Sequence, residues 1–564
     1  MSPSPQTTIA AATAPRRPAA RWWPLARVIG LAALALVGLG TLAASGQTPT
    51  DPAPAVASLP GPRPQVTLAS AVQHPARSRP VRRAPHQPAG RHRSTHAPHQ
   101  GSPAHRGRTG VARKLAANAP TVCPGASALE GAGATTLSAE GARYGISGLW
   151  AAGETGRGVT IATVEFGASS PSDVAAYDRC FGLPATGYQV VPIDGGGASG
   201  SAFVAEADLD IEQLQTQAPG ATIVSYEAPD TNTSWTDVLS AIVSADQAKV
   251  ISISWGLCEA AYAGGPSGTV APIDALLAKA AAQGQSVVVA SGDRGAQDCY
   301  DSANGTGAGT LAVDFPASDP NVTAVGGTDV SPAGEQVWNA ALQAGASGAS
   351  GGGVSADFAE PSWQQAVAGT LAGSCGASGC RGIPDLSLDA NGLIFFGGGS
   401  LATGSGTSFS APFVAAMTAD LQSACATPIG NLAPRLYAWD QIDPGAFVPV
   451  TSGSNDYTGA SGATYSASAG YNLATGLGTP VASALSCPQV HALSPTTAPA
   501  GATVTITGAF LGSASVTFGQ RAASIVSRGA NQLVATVPPG SGTVAVTVSN
   551  PTGAAASKPF AYAP

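Results

Sequence analysis

Histidine is missing from the long central part of this chain. The 564 residues include seven histidines, and none of them lies between Lys114 and Pro488. Six lie between His74 and His105, and the seventh is His491. A Ser-His-Asp triad needs a histidine as the base beside its serine. The absence therefore excludes such a triad from the central region, where a nucleophilic serine would have to pass its proton to a carboxylate.

Charged residues are also few, and they are unevenly distributed. Residues 1–115 hold 15 of the 26 Lys and Arg but only one acid, Asp51. Residues 116–564 therefore carry 11 basic and 32 acidic side chains, a net charge of −21. A region this acidic argues against nucleic acid as a partner. With so few cations, protonation of the carboxyls leaves little positive self-repulsion, so the fold is expected to tolerate acid. An acidic surface that only keeps the protein soluble is the alternative.

The first residues resemble an export signal. Arg16, Arg17, Arg21 and Arg27 precede the uncharged run 28–44, and small residues follow it. This pattern predicts a signal peptide over residues 1–46 and a secreted, extracellular protein. Seventeen apolar residues are at the short limit for a membrane span, so an uncleaved membrane anchor remains the alternative.

The next segment, residues 47–115, is rich in Pro, Ala, Arg and His and has no apolar periodicity. Such a composition cannot bury a core and predicts a disordered basic linker. The linker could act as a solvated spacer, or it could associate with an anionic cell surface.

The eight cysteines contain no C-x-x-C and no Cys/His cluster, which argues against a zinc site. An even number of cysteines in an exported chain predicts disulfides. We expect Cys375 to pair with Cys380 and Cys258 with Cys299, and the sequence leaves the remaining connectivity open.

The body, residues 116–487, alternates apolar strands with amphipathic helices. Strands are expected at 159–166, 222–226, 250–255 and 286–290, and helices at 203–218, 235–245 and 273–282. This alternation predicts an α/β fold, a parallel sheet covered by helices on both faces. Functional sites in such folds lie at the carboxyl ends of the strands.

A glycine-rich turn at 404–406 leads into an apolar run that is typical of a buried helix. Ser408 is expected in the first turn of that helix, and so is Pro412, because first-turn N–H groups have no intrahelical partner to lose. The helix N-terminus favours a developing negative charge, and tight turns of this kind present nucleophilic serines. A serine that merely caps a buried helix is the alternative.

Three acids are candidates for the missing base and its partners. Glu206 and Asp210 are four residues apart on a predicted helix, so they share one face. Neighbouring carboxyls that share a proton raise the pKa of one of them, although a solvated acidic face has the same spacing. Asp293 follows the strand 286–290, where a protonated carboxyl could donate to an oxyanion or simply cap a loop.

These residues together resemble the signatures of the sedolisins, the serine-carboxyl peptidases. The three signatures are Glu206 to Asp210 (EADLD), Ser291 to Asp293 (SGD) and Gly406 to Ser408 (GTS) with Pro412. Further matches are ISISWG at 251–256, GGGVS at 351–355, PSWQ at 361–364 and RGIPD at 381–385. The similarity covers roughly residues 137–485.

The resemblance implies a subtilisin-like fold and an acid-acting peptidase with protein or peptide substrates. Ser408 would attack the peptide carbonyl, with Glu206 as general base, Asp210 as its orienting partner and Asp293 as oxyanion donor. Glu165 and Trp255 match positions that extend this network in some members. Sedolisins are usually made with a folded pro-domain, whereas here the basic linker precedes the body. A monomer is expected, and cleavage specificity is left open, including internal cleavage against removal of tripeptides.

The resemblance also implies one bound Ca²⁺ near the end of the peptidase domain, held partly by two aspartates. Those two positions are Pro449 and Asn472 here. Neither supplies a carboxylate, and calcium affinity depends on ligand charge. We therefore expect a weakened or lost site, with Asp456 as a substitute ligand at most.

Residues 488–564 consist of short alternating strands separated by Gly, Pro and Asn turns. This pattern predicts a small β-sandwich that resembles an IPT/TIG immunoglobulin-type domain. It carries no catalytic constellation, so it is expected to be a spacer or a surface-binding module. The competing function for the whole chain is a secreted adhesion protein built on an inactive peptidase fold.

Overall fold

The structure is a computed structural model. It describes the backbone of residues 63–64 and 67–69 and residues 122–564, except 185–186, 232, 264–269, 303, 342–346, 426–427, 461–464 and 552–556. The predicted signal peptide, residues 1–46, lies outside the described residues.

Most strands of the body lie between residues 135 and 480. In chain order, the strands are β1 (Arg63–Pro64), β2 (Thr67–Ala69), β3 (Thr135–Thr136), β4 (Thr160–Glu165), β5 (Gln189–Pro192), β6 (Thr222–Glu227), β7 (Val250–Ile253), β8 (Trp255–Cys258), β9 (Ser286–Ala290), β10 (Asp314–Phe315), β11 (Thr323–Ser331), β12 (Gly334–Val337), β13 (Gly353–Ala359), β14 (Cys380–Ile383), β15 (Leu386–Asp389), β16 (Leu393–Gly397), β17 (Ser400–Ser405), β18 (Phe447–Val448) and β19 (Thr479–Pro480).

The helices alternate with these strands. They are α1 (Pro124–Gly131), α2 (Leu137–Arg143), α3 (Ile146–Ala151), α4 (Pro171–Phe181), α5 (Ser201–Gln217), α6 (Ser234–Ala245), α7 (Glu259–Ala263), α8 (Val270–Ala282), α9 (Ser362–Ala368), α10 (Thr407–Ala424) and α11 (Ala433–Ile442), with short 3₁₀ turns at Gly376–Ser378, Pro444–Ala446 and Ala482–Ala484.

The central sheet has the order β12-β11-β9-β7-β4-β6-β5, and β15 adds to β11. All of these pairings are parallel except that of β11 with β12. Side chains alternate between the two faces of each strand. Ile161 thus packs with Phe413 of α10, while Val164 packs with Leu239 of α6 on the other face. The predicted α/β class is confirmed, with one core on each side of the sheet.

The predicted strand 250–255 is divided in two. β7 ends at Ile253, and β8 begins at Trp255 and turns to pair with β10 in a separate three-stranded sheet. Ser254 occupies the break, and its side chain enters the site described below.

The prediction that residues 47–115 are disordered does not hold for two short stretches. β1 pairs with β8 of the body, and β2 pairs with β17. A linker without apolar periodicity still has backbone N–H and C=O groups, and these can complete the free edge of a sheet. The remaining residues of that linker lie outside the described part of the chain.

The C-terminal region forms the predicted small sandwich. Its strands are β20 (Gln489–Ser494), β21 (Thr497–Ala498), β22 (Thr503–Ala509), β23 (Ser515–Phe518), β24 (Arg521–Ala522), β25 (Ser524–Arg528), β26 (Gln532–Thr536), β27 (Thr543–Ser549) and β28 (Lys558–Tyr562). They form a four-stranded and a five-stranded sheet around their own apolar core. Side-chain hydrogen bonds join this domain to the body, including Asn550 Nδ2 to the carbonyl of Ser486.

All eight cysteines are paired. The bridges Cys375–Cys380 and Cys258–Cys299 confirm the two predicted pairs. The sequence left the other four cysteines open, and they form Cys123–Cys180 and Cys425–Cys487. Among the residues that the structure describes, no helix is both long and apolar enough to cross a membrane.

Candidate active site

Three neighbouring strands of the central sheet end at the same edge. β4 ends with Glu165, β7 is followed by Ser254, and β9 is followed by the turn that carries Asp293. Gly292 in that turn has φ +101°, and a Cβ there would lie 3.0 Å from an Asp298 oxygen. The close approach requires glycine at this point. Parallel strands thus bring together polar groups that lie far apart in the sequence.

The helix α5 supplies two further carboxyls. Glu206 and Asp210 lie one turn apart, and both are fully buried. The solvated-face alternative is therefore wrong for this helix, since residues 205–217 are all buried. Three polar side chains of this face make hydrogen bonds within the protein instead, those of Asp210, Gln213 and Gln217. Gln213 Nε2, for example, donates to Glu140 and to the carbonyl of Phe409.

Asp210, one helical turn from Glu206, takes part in a chain of hydrogen bonds at the strand ends. Its Oδ1 accepts a hydrogen bond of 2.8 Å from Ser254 Oγ. Thr163 Oγ1 lies 2.5 Å from Glu165 Oε1 and 3.3 Å from Asp210 Oδ2. The indole of Trp255 donates to the other oxygen of Glu165 at 3.0 Å. The expected extension of the network through Glu165 and Trp255 is thus present as hydrogen bonds.

Ser408 lies at the second position of α10, as predicted. Pro412 does not lie in the first turn, because α10 begins at Thr407 and places Pro412 in its second turn. A proline there cannot donate to the carbonyl four residues earlier, which is that of Ser408. The hydroxyl of Ser254 lies 3.5 Å from this carbonyl oxygen. The backbone carbonyl of Ser408, the candidate nucleophile, therefore lacks the hydrogen bond that a residue other than proline at position 412 would donate to it.

The Ser408 hydroxyl and the Glu206 carboxyl have no hydrogen-bond partner of standard geometry among the described residues. Burial raises the pKa of Glu206 well above its ordinary value, and the nearby Ser408 hydroxyl lowers it by donating toward the carboxylate. The charges of Glu165 and Asp293 raise it further. Ser408 and Glu206 are therefore neighbours: the hydroxyl is close enough to lower the pKa of the carboxyl, although the two groups do not form a hydrogen bond of standard geometry.

Asp293, in the turn after β9, faces the first turn of α10. Its Oδ1 accepts hydrogen bonds of 2.9 Å from both the amide and the hydroxyl of Thr407. Its Oδ2 has no partner among the described residues. Burial raises the pKa of Asp293, and the two bonds from Thr407 oppose that rise. A protonated Oδ2 would be a free donor beside Ser408.

Burial likewise raises the pKa of Asp210 and of Glu165. The charge of Glu206 raises that of Asp210 further, and the charge of Asp210 raises that of Glu165. The interaction between the side chains of Glu165 and Asp210 raises the pKa of Glu165 and lowers that of Asp210. The site is thus a row of buried carboxyls whose raised pKa values favour their protonated forms.

Sequence reasoning did not identify three hydroxyls of this site, those of Thr163, Ser254 and Thr407. Thr407 adjoins Ser408, Ser254 adjoins Trp255, and Thr163 is two residues before Glu165. Thr163 and Ser254 could have been found as hydroxyls close to the carboxyl ends of neighbouring parallel strands. Thr407 adjoins the nucleophile, but its partner Asp293 is 114 residues away, so only the fold reveals its role.

Known proteins match both parts of the chain. Residues 168–443 match the subtilase family, and residues 488–562 match the IPT/TIG domain. Kumamolisin of Bacillus sp. (strain MN-32) is 35% identical over 321 residues, which are 54% of this chain and 55% of that protein. Sedolisin of Pseudomonas sp. (strain 101) is 38% identical over 269 residues, 45% of this chain and 44% of that protein.

A solved structure shows a similar fold. It is Pseudomonas sedolisin, a serine-carboxyl proteinase, complexed with two molecules of pseudo-iodotyrostatin. It is 33% identical, with a TM-score of 0.51, and the match covers 58% of this chain and 91% of that one. The chain belongs to the sedolisin family. The predicted subtilisin-like fold and the IPT/TIG-like domain are thereby confirmed. The chain spans about half the length of kumamolisin and of sedolisin.

The residues at the calcium position of the family do not fit that ion. Asn472 Oδ1 already accepts hydrogen bonds of 3.0–3.1 Å from the amides of Ala474 and Thr475 and from the Thr475 hydroxyl. Asn472 Nδ2 donates to the carbonyls of Ser468 and Gly470. A calcium ion needs free, preferably anionic oxygens, and this side chain offers none.

Asp456, the possible substitute ligand, is already engaged within the protein. Its Oδ1 accepts a hydrogen bond of 3.0 Å from Gln297 Nε2, and its carbonyl accepts one from Asn339. Within the described part of the chain, no group of three or more His, Cys, Asp or Glu side chains could hold a metal ion. The loop around Asn472 is thus held by hydrogen bonds within the protein.

Proposed function

We propose that this protein is a secreted serine-carboxyl peptidase that hydrolyses peptide bonds at acid pH through an acyl-enzyme on Ser408. The observation that carries the proposal is the position of Ser408 beside Glu206 and next to the Asp293–Thr407 pair, in a region without histidine. The membership of the sedolisin family supports the same reaction.

In the proposed reaction, Glu206 accepts the proton of Ser408 as the serine oxygen bonds to the peptide carbonyl carbon. The carbonyl oxygen becomes an oxyanion and accepts a hydrogen bond from protonated Asp293. Glu206 then gives its proton to the leaving nitrogen, the C–N bond breaks, and an ester on Ser408 remains. A water molecule then gives one proton to Glu206 and bonds to the ester carbonyl carbon; the C–O bond to Ser408 breaks, and Glu206 returns that proton to the serine oxygen. Ser254 and Thr163 hold Asp210 by hydrogen bonds, and Asp210 in turn would orient Glu206, one helical turn away, when one of the two carboxyls is protonated.

An acid optimum follows because two carboxyls must be in opposite states. Glu206 has to be ionised while Asp293 is protonated, so activity falls on both sides of the pH range in which these states coexist. A histidine-based triad, in contrast, loses its base at acid pH because the base becomes protonated. Burial raises the pKa of Glu206, but the Ser408 hydroxyl lowers it, and protonation of Asp293 removes one of the charges that raise it. We expect these opposing effects to bring ionised Glu206 into the acid range, with an optimum at about pH 3 to 5.

Export is part of the proposal and is supported by the four disulfides, which persist in oxidising compartments. The substrates would be proteins or peptides, and the protein would act as a monomer. The C-terminal sandwich would serve as a spacer or as a module for the cell surface.

The test is a pH–activity profile on a denatured protein substrate, measured together with matched variants. Ser408→Ala and Glu206→Gln should abolish turnover, and the double variant should be hardly worse than either one, because residues of one catalytic unit are not additive. Ser410→Ala and Glu212→Gln are the controls. They change the same residue types on the same two buried helices, where Ser410 Oγ bonds backbone carbonyls and Glu212 accepts from Phe396.

The controls should keep most of the activity. Maximal activity near pH 8, or activity that survives Glu206→Gln, would contradict the mechanism. A folded protein that cleaves no peptide at any pH would favour the competing interpretation, an adhesion protein on an inactive fold.

A further inference from the structure

The first turn of α10, which carries Ser408, lacks one hydrogen bond of a regular helix. Pro412 has no N–H, so it cannot donate to the carbonyl of Ser408, four residues earlier. The ring of a proline inside a helix also clashes with that carbonyl and displaces it. The helix alone therefore holds this turn less firmly than its other turns, and contacts from other elements have to fix the position of Ser408.

Two side chains from other elements reach carbonyl groups of this turn. Ser254 Oγ lies 3.5 Å from the carbonyl oxygen of Ser408, which is long for a hydroxyl donor. Gln213 Nε2, on α5, donates to the carbonyl oxygen of Phe409 at 3.0 Å. Phe409 directly follows Ser408 in the chain. Gln213 thus makes the shorter of the two bonds, one peptide unit from the candidate nucleophile.

The amide of Gln213 is held in one orientation. Its Nε2 also donates to Glu140 Oε2 at 2.7 Å, so both amide protons have an acceptor. Its Oε1 accepts a hydrogen bond of 3.1 Å from Gln217 Nε2, which also donates to the carbonyl of Leu137 on α2. A flipped amide would place its oxygen against two acceptors and its nitrogen against a donor. The surrounding groups therefore fix the side of Gln213 that faces Phe409.

The bond from Gln213 is compatible with either charge state of Glu140. Glu140 is fully buried, and burial raises the pKa of its carboxyl while the bond from Gln213 lowers it. Glu140 Oε1 has no partner among the described residues, whereas Oε2 accepts from Gln213. A proton on Glu140 therefore belongs on Oε1 and leaves Oε2 as an acceptor. Gln213 can keep both of its bonds at the acid pH at which the peptidase would act.

Gln213 shares a helix with the proposed base. It follows Glu206 by seven residues and Asp210 by three, so all three side chains lie on one face of α5. All three are fully buried, and Gln213 contacts the nucleophile's turn through its backbone. We propose that Gln213 is a positioning residue, which holds the Phe409 carbonyl and so sets the distance from Ser408 to Glu206. This role rests on the proposed function, but the contact can be tested without it.

The first experiment compares the kinetics of two buried glutamines of α5. Gln213→Met removes the polar amide and keeps an unbranched side chain of similar length. On a short chromogenic peptide at acid pH, kcat should fall by roughly three- to tenfold, as for the loss of one hydrogen bond. KM should not change, because Gln213 is fully buried. Gln215→Met is the control, since both polar side-chain atoms of Gln215 lack a partner among the described residues, and it should keep kcat.

A second variant guards against poor folding. Gln213→Asn keeps a polar amide, but its side chain is one carbon shorter and cannot reach the Phe409 carbonyl as Gln213 does. It should show the same fall in kcat at unchanged KM. Melting curves would establish that each variant is folded at the assay temperature. A folded Gln213→Met or Gln213→Asn variant with the kcat of the unsubstituted protein would overturn the positioning role.

A double-mutant cycle separates positioning from packing. Pro412→Ala supplies the missing N–H, which can then donate to the Ser408 carbonyl and hold the turn from within the helix. In this background, Gln213→Met should lower kcat by less than about twofold, because residues that support the same turn are coupled. An equal fall in kcat with Pro412 and with alanine at that position would show that Gln213 acts by packing alone, and would overturn the inference.

The last experiment needs no peptidase activity. In the full chain with Ser408→Ala, so that self-cleavage cannot occur, hydrogen exchange is measured at residues 407–413. Exchange should become roughly two- to tenfold faster with Gln213→Met, because the turn opens more easily. Gln215→Met should leave it unchanged. Equal exchange in both variants and in the parent chain would overturn the contact, whether or not the protein is a peptidase.

The outcomes keep the two proposals apart. An active protein in which Gln213→Met leaves kcat unchanged would overturn the positioning role and leave the peptidase function standing. A protein without any hydrolysis would overturn the proposed function and the catalytic role of Gln213 together. Faster exchange in the Gln213 variant would in that case still establish that Gln213 holds the first turn of α10.

Discussion

Asp293 accepts two hydrogen bonds from Thr407 on a single oxygen. The amide and the hydroxyl of Thr407 are each 2.9 Å from Asp293 Oδ1, and Oδ2 has no partner among the described residues. This asymmetry directs the proton of a neutral Asp293 to Oδ2, because Oδ1 already has two donors. The carboxyl is thereby held with its donor side free, which an oxyanion stabiliser requires.

Thr407→Val should therefore lower kcat by roughly tenfold with little change in KM. The variant loses the hydrogen bond from the Thr407 hydroxyl to Asp293 and keeps the one from the Thr407 amide. Steady-state kinetics near the acid optimum would measure this. Thr418→Val is the matched control, since the Thr418 hydroxyl donates to the carbonyl of Val414 on the same buried helix. An equal loss of activity in both variants would point to general destabilisation of α10 and against an orienting role of Thr407.

Ser254→Ala should also lower kcat by about tenfold. Ser254 Oγ donates to Asp210 Oδ1, and its loss raises the pKa of Asp210 and loosens the carboxyl that positions Glu206. Ser252→Ala is the control, because Ser252 is an equally buried serine two residues earlier whose hydroxyl has no partner among the described residues. The pH profile of the Ser254 variant should change shape as well, since Asp210 then stays protonated to higher pH. Unchanged kcat and an unchanged profile in that variant would count against the hydrogen-bonded chain.

Much of this arrangement could be predicted from the sequence, because it follows from local patterns. The strand Ser286–Ala290 agrees with its predicted bounds, and Glu206 and Asp210 share a helix as their spacing indicated. What could not be predicted depends on the meeting of distant segments. The partner of Thr407 is more than a hundred residues away. The strand Thr67–Ala69 pairs with β17 through backbone groups. Every residue has these groups, so no pattern of side chains predicts this strand.

The buried carboxyls should make the protein less stable as the pH rises. Burial raises the pKa of Asp389 to about 7 and that of Asp208 to about 8. The charge of nearby Asp173 also contributes to the rise at Asp208. The folded state therefore holds more protons than the unfolded chain at pH values between about 4 and 8, so the free energy of unfolding decreases across that range. The stabilisation is complete below the unfolded-state pKa and is lost as the pH passes the folded-state pKa.

Melting temperatures at pH 4, 6 and 8 would measure this decrease. Each tenfold change in proton affinity corresponds to about 1.4 kcal/mol, so a total loss of several kcal/mol is expected. Asp389→Asn removes one such group and should flatten the dependence, whereas Asp357→Asn, at an exposed aspartate, should not. A melting temperature that increases from pH 4 to pH 8 would contradict this account.

Calcium should contribute little to the stability of this protein, unlike what its family leads one to expect. Pro449 and Asn472 supply no carboxylate, and the Asn472 side chain already makes hydrogen bonds through both its oxygen and its nitrogen within the loop. A chelator at mildly acid pH should therefore change the melting temperature by no more than about 1 °C, which corresponds to well under 1 kcal/mol.

Asn472→Asp makes the test sharper. It restores a carboxylate but removes the donors to Ser468 and Gly470, so it should lower the melting temperature with or without calcium, by roughly 1–3 kcal/mol of unfolding free energy. A site that could bind the ion would behave differently, because calcium would then stabilise the variant and magnesium would not. A large drop on chelation of the unsubstituted protein, restored by calcium alone, would show that other oxygens of this loop hold the ion.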